Sequence, residues 1–115
     1  MSQIAAIISA RTQQRHAEAL RLAGTALGAL AAHSIPAWLV GSLARGDFRQ
    51  HSDIDFLIDA PVADRALALR LCLSALGDFP SSILFVSDLP DSALVPMMAE
   101  ATREPVSSSI LQQSR

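Results

Sequence analysis

The stretch that most constrains this chain is residues 41–55, Gly-Ser-Leu-Ala-Arg-Gly-Asp-Phe-Arg-Gln-His-Ser-Asp-Ile-Asp, set between the apolar runs Trp38-Leu39-Val40 and Phe56-Leu57-Ile58. It reads as strand, tight turn, one or two helical turns, polar loop and second strand. Gly41 allows a sharp turn, and Ser42 stands where a helix would begin. Free backbone N–H groups there, with a hydroxyl beside them, make an anion site. Asp53 and Asp55 are spaced by one residue. In a strand such positions face the same way, roughly 7 Å apart along the chain. Oxygen-only donors suit Mg²⁺, which takes one or two carboxylates and completes its shell with substrate phosphates. A phosphate cradle facing a carboxylate pair predicts a nucleotide–magnesium site. The plainer readings are an ordinary serine cap and two solvated acids on an exposed strand. The second is unattractive, because like charges side by side on an otherwise apolar strand repel.

The residues around this pair have graded expectations. Arg45 lies three positions after Ser42 on the same helix face, within reach of a phosphate or of Asp47. Arg49 and His51 are expected as solvated loop side chains near the site, and Ser52 as the residue that shapes the turn into the second strand. Asp59 shares strand parity with Asp53 and Asp55 but is better placed to cap the next helix.

The spacing Gly41-Ser42, ten residues, Asp53-x-Asp55 resembles the signature of the DNA polymerase β-like nucleotidyltransferases. The fuller run Gly41-Ser42-x-Ala44-Arg45-Gly46-Asp47…Ser52-Asp53-x-Asp55 resembles the minimal nucleotidyltransferases, whose members include antitoxins paired with HEPN-domain toxins. The resemblance implies an α/β (α+β) core in which a small mixed sheet is flanked by helices. It implies Mg²⁺ on Asp53 and Asp55 and the phosphates of ATP or another NTP on Gly41 and Ser42, and the family run contains Arg45, whose role there varies. The implied reaction moves AMP to a protein hydroxyl, with a tyrosine of a HEPN-type toxin as the analogous target. The family pattern also carries a third carboxylate on a later strand. The matching run here is Ile83-Leu84-Phe85-Val86, with Leu84 taken as the equivalent position, Asp78 before it and Asp88 beyond. Without that acid, proton removal from an acceptor is weakened. Two readings follow: an enzyme, or a degenerate nucleotidyltransferase fold that neutralises a partner by binding. Transfer to a small molecule such as an aminoglycoside would need a larger acceptor region and ranks last.

Composition sets the outer bounds. The 115 residues are half hydrophobic, with nine arginines, no lysine and a formal net charge of −2. The arginines are scattered, so no basic stripe suggests direct nucleic-acid binding. A mean hydropathy of +0.33 is high for a small domain, and is explained equally by an alanine- and leucine-rich helical surface or by a covering partner, as a homo- or hetero-oligomer. The single Cys72 lies in an apolar run and is expected as a packing residue of a cytoplasmic protein. No signal peptide or bilayer-spanning stretch is legible.

Along the chain, residues 2–33 read as a helix with a break allowed near 11–14, its apolar side built on Ile4, Ile8, Leu20, Leu27 and Leu30. Gly24 and Gly28 either permit a close approach or are simply tolerated. Ser34-Ile35-Pro36 ends that helix. Residues 37–40, 53–58 and 82–87 read as strands, with Trp38 packing under the sheet. Helices are expected over 42–46, from Asp59-Ala60-Pro61 to about 76 with Leu67, Leu71, Leu73 and Leu76 inward, and over 92–103 before Glu104-Pro105. The order is α-β-α-β-α-β-α in one domain, 1–106, with a polar tail at 107–115.

Overall fold

A computed structural model describes residues 3–103. The expected tail at 107–115, and Glu104-Pro105 as a helix stop, lie outside the described residues. The order within them is α1 (Gln3–Ala32), β1 (Ala37–Val40), α2 (Gly41–Arg45), β2 (Ile54–Ile58), α3 (Arg65–Leu76), β3 (Ser81–Phe85) and α4 (Asp91–Glu100). This is the expected α/β architecture with a mixed sheet. β2 is central, antiparallel to β1 with Val40 opposite Asp55, and parallel to β3 with Asp55 opposite Ser82.

The period-2 alternation of the strands divides the sheet into two faces. Ala37, Leu39, Ile54, Phe56, Ile58 and Phe85 point into the main core, which they share with α1 and α3. α1 contributes Ala19, Ala23, Ala26, Leu27 and Leu30, and α3 contributes Ala68, Cys72 and Leu76. Both sets follow helical spacing, and their small alanines let the two helices approach closely. Burial pushes the Cys72 thiol up to about 11, as expected of a packing cysteine. The opposite face carries Trp38, Val40, Asp55, Leu57, Ser82 and Leu84, and it holds the signature residues.

Several local expectations need correction. α1 is one unbroken helix of 30 residues, but Ile4 and Ile8 on its first turns are exposed, at 70% and 49%. The inward stripe begins only at Ala19, because the helix outruns the sheet it packs on. Nothing lies within 4 Å of where a Cβ would stand at Gly24 or Gly28, so neither glycine serves a close approach between described elements of the chain. α1 closes through Ser34, at φ 58°, with the Ile35 N–H returning to the Leu30 carbonyl at 2.9 Å. Trp38 lies half-buried on the face away from the core, beneath Arg103.

α3 starts at Arg65, after a 3-10 turn over Val62–Asp64. The Asp59 backbone N–H donates to the Pro36 carbonyl at 2.9 Å, and Asp59 does not cap the helix. Within α3, Leu76 is buried and Leu67 and Leu71 pack against the core as expected, but Leu73 is 54% exposed and Ala68 and Cys72 take the centre of the inward face. β3 ends at Phe85, where a 3-10 turn over Val86–Asp88 takes over. α4 stops at Glu100 instead of 103, because Thr102 turns back to pair with Leu39 as an extra bridge on the β1 edge.

Candidate functional site

The site lies where the end of β1 meets the start of β2. Gly41 follows β1 directly and adopts φ 77°, a left-handed conformation that side chains disfavour. That turn brings its α-carbon against the Asp55 side chain. A Cβ at Gly41 would stand 3.0 Å from Asp55 Cγ and 3.2 Å from its Cβ, with Oδ2 closer still. The antiparallel register explains the meeting, since Asp55 is opposite Val40, the residue before Gly41. The two halves of the signature, 14 positions apart in sequence, thus touch.

Ser42 is the second residue of α2, not its cap. The cap position is Val40, which has no side-chain bond to give. The Ser42 carbonyl accepts the N–H groups of Gly46 and Asp47, both at 3.0 Å, and Gly46 closes the helix at φ 88°. The hydroxyl is therefore not spent on capping. Arg45, the last residue of α2, is exposed and holds Asp47 at 3.4 Å through Nε, and Glu100 at 3.2 and 3.3 Å through Nη1. These carboxylates, Glu100 first, raise its pKa further.

Asp53 sits one residue before β2 and is exposed, whereas Asp55 lies within the strand and is half-buried. Strand parity from Asp55 extends back to Asp53 even though ladder pairing begins at Ile54, whose N–H donates to the Pro80 carbonyl at 3.0 Å. Burial raises the Asp55 pKa most, and the negative charges of Asp53 and Glu100 add to it, opposed by Arg45. A carboxylate so disfavoured in its charged form is one that a cation would relieve. The donor set fits a hard, oxygen-loving ion through two carboxylates. Among the described residues no group of three or more His, Cys, Asp or Glu side chains gathers as a metal cluster.

The neighbouring positions sort clearly. Leu84 is opposite Leu57, and the residue opposite Asp55 on β3 is Ser82. The strand position beside Asp55 therefore carries a hydroxyl, and Leu84, taken above as the equivalent of the third acid, lies two residues further on. Asp88 lies past the far end of β3, where Arg65 holds it at 2.9 Å on both carboxylate oxygens while stacking over Phe85 at 4.6 Å. It does not supply the missing acid. Arg49 and His51 are exposed loop residues. The Ser52 hydroxyl accepts the Arg49 N–H at 2.9 Å and so shapes the turn before Asp53.

Two residues escaped the sequence reading. Arg15 on α1 donates to the Ser52 carbonyl at 3.1 Å and lies 4.3 Å over the Phe79 ring, bracing the loop that presents Asp53. Glu100 accepts the Gly41 N–H at 3.0 Å. Neither has a local spacing that could have announced it. The only hint was Glu100 as a lone acid ending an otherwise apolar run.

Residues 27–95 match the family model described as the nucleotidyltransferase domain, a segment that spans α2, both aspartates and the whole sheet. No curated protein and no solved structure gives a match to the chain.

Proposed function

The chain belongs to the nucleotidyltransferase domain family, and from that premise we propose that it transfers AMP from ATP to a hydroxyl group on a partner protein. Members of such a family move a nucleotidyl group from an NTP and work with a divalent metal. The observation that carries the assignment is the contact between Gly41 and the Asp55 carboxylate, which joins the turn that opens α2 directly to the strand that carries the acid pair. Asp53 and Asp55 would hold Mg²⁺, whose role when bound is to neutralise charge developing on the phosphates. The Gly41 N–H, the Ser42 hydroxyl and the Arg45 guanidinium would be the donors to the β- and γ-phosphate oxygens, the first and last once freed from Glu100. The side-chain-free turn at Gly41 lets them come close. The acceptor hydroxyl would enter beside Asp55, and pyrophosphate would leave along the donors of α2.

The protein acceptor and the role of antitoxin, silencing a HEPN-type toxin by adenylylation, follow from the resemblance of the 41–55 run to the minimal nucleotidyltransferases. A second reading is favoured by Ser82. With a hydroxyl and not an acid beside Asp55 on β3, the site has no carboxylate set apart to take the acceptor proton, and the fold would neutralise its partner by contact alone. Incubating a host lysate with α-labelled ATP and Mg²⁺ separates the two. A labelled protein band that appears with wild type and vanishes with Asp53→Asn/Asp55→Asn supports transfer. A partner that co-purifies equally with both forms and is never labelled sinks transfer and leaves the binding module.

A further inference from the structure

Glu100 belongs to no part of the Gly-Ser…Asp-x-Asp signature, yet its carboxylate engages two of the donors assigned above to phosphate. It accepts the Gly41 N–H at 3.0 Å and the Arg45 Nη1 at 3.2 and 3.3 Å. A carboxylate and a phosphate make the same demand on such donors, each offering anionic oxygens to a backbone N–H and a guanidinium. They cannot both be satisfied by the same hydrogens.

The chain just beyond Glu100 is tied down. Thr102 and Leu39 exchange backbone hydrogen bonds at 2.6 and 2.9 Å, and the Arg103 guanidinium lies 4.5 Å over the Trp38 ring. Residues 100–103 therefore run as a strap from the Gly41 and Arg45 donors to the edge of β1. Glu100 is thus anchored by the chain that follows it, and α4 packs on β1 and α2.

We propose that Glu100 is an internal anion that occupies the phosphate donors of the nucleotide-free protein, and that nucleotide binds by displacing it and loosening the strap. The inference rests on reading the site as a triphosphate site. Its thermodynamic consequence is a lowered apparent affinity, since the binding-competent form is only a fraction of the population. It also supplies a reporter. Trp38 is the only tryptophan, and there is no tyrosine, so movement of Arg103 off its ring is read directly in the protein's emission.

The test titrates wild type and Glu100→Gln with a non-hydrolysable ATP analogue and Mg²⁺, by calorimetry and by Trp38 emission. Glu100→Gln keeps the side-chain size and removes the competing charge, and is expected to bind about tenfold more tightly. Its unliganded emission should already approach that of nucleotide-bound wild type. Thr102→Pro, which removes the N–H donated to Leu39 and leaves Glu100 in place, should shift affinity in the same direction. Equal affinities in wild type and both variants overturn the strap and leave the triphosphate site standing. Weaker binding by Glu100→Gln overturns it too, and makes Glu100 a helper of the ligand. No binding by any of the proteins at millimolar analogue removes the triphosphate site itself, and the strap with it.

Discussion

Replacing Gly41 with alanine should cost about 1.5–3.5 kcal/mol of stability, in two separable parts. The first is backbone: at φ 77° an L-residue pays about 1–2 kcal/mol for the left-handed region. The second is the neighbour. The new Cβ would stand 3.0 Å from Asp55 Cγ, with Oδ2 nearer, so the carboxylate must leave its rotamer at about 0.5–1.5 kcal/mol. Set against a total stability of about 5–15 kcal/mol, the loss is measurable by urea unfolding followed through Trp38. The informative experiment is the double-mutant cycle with Asp55→Ala. Removing the carboxylate relieves the clash with Cγ and Oδ2 and leaves the backbone part and the Cβ at 3.2 Å, so Gly41→Ala should cost up to about 1 kcal/mol less in the Asp55→Ala background than in wild type. The slope of the urea dependence should stay constant across the four proteins. Equal cost in both backgrounds would refute the claim that glycine is required here because Asp55 presses on it.

Three further expectations can be checked independently. Because burial, Asp53 and Glu100 raise the Asp55 pKa above its ordinary 3.8, the charged form burdens the fold at neutral pH. Native protein binds more protons than unfolded protein between the two pKa values, so stability falls as pH rises through that window. Asp55→Asn should thus be more stable than wild type at pH 7, with the difference fading as pH falls below the ordinary aspartate pKa; a constant difference in an acid-to-neutral unfolding series would contradict this. Asp88→Ala breaks a surface pair with Arg65 and should cost about 0–1 kcal/mol with nucleotide binding unchanged, whereas a large loss of binding would return Asp88 to the site. Gly28→Ala, at an exposed helical position with no atom within 4 Å of the new Cβ, should raise the unfolding free energy by about 1 kcal/mol, and a loss there would reveal a contact at that face.

The elements that were legible in the sequence are those whose signal is local. Strand, glycine turn, short helix and acid pair follow one another within residues 38–58, and each step is governed by neighbours a few bonds away. Strong apolar runs such as Phe56-Leu57-Ile58 mark the central strand because it is covered on both faces. Helix faces were read less well. In α1 and α3 most of the leucines read as inward do pack, with Leu27, Leu30 and Leu76 buried, but Ala19, Ala23, Ala26 and Ala68, which were passed over, complete the stripe with Cys72. Small residues win where two helices must come close, and a hydropathy pattern weighted by size overlooks them. The boundaries of α3 and α4 moved for a similar reason: the 3-10 turn at Val62–Asp64 and the Leu39–Thr102 bridge are settled by partners elsewhere in the chain.

What the sequence determined by itself was the identity of the signature and the conformations it demands: a residue without a side chain at position 41, and two acids with the parity of one strand face. What only the tertiary structure decided was which groups meet there. The antiparallel register sets Asp55 against Gly41, the parallel register puts Ser82 beside Asp55, and the return of the chain to β1 delivers Glu100 to a backbone N–H 59 residues away. Spacing along a chain fixes which way neighbouring side chains point. The distance between remote groups is set by how the helices and strands pack, and no local pattern records it.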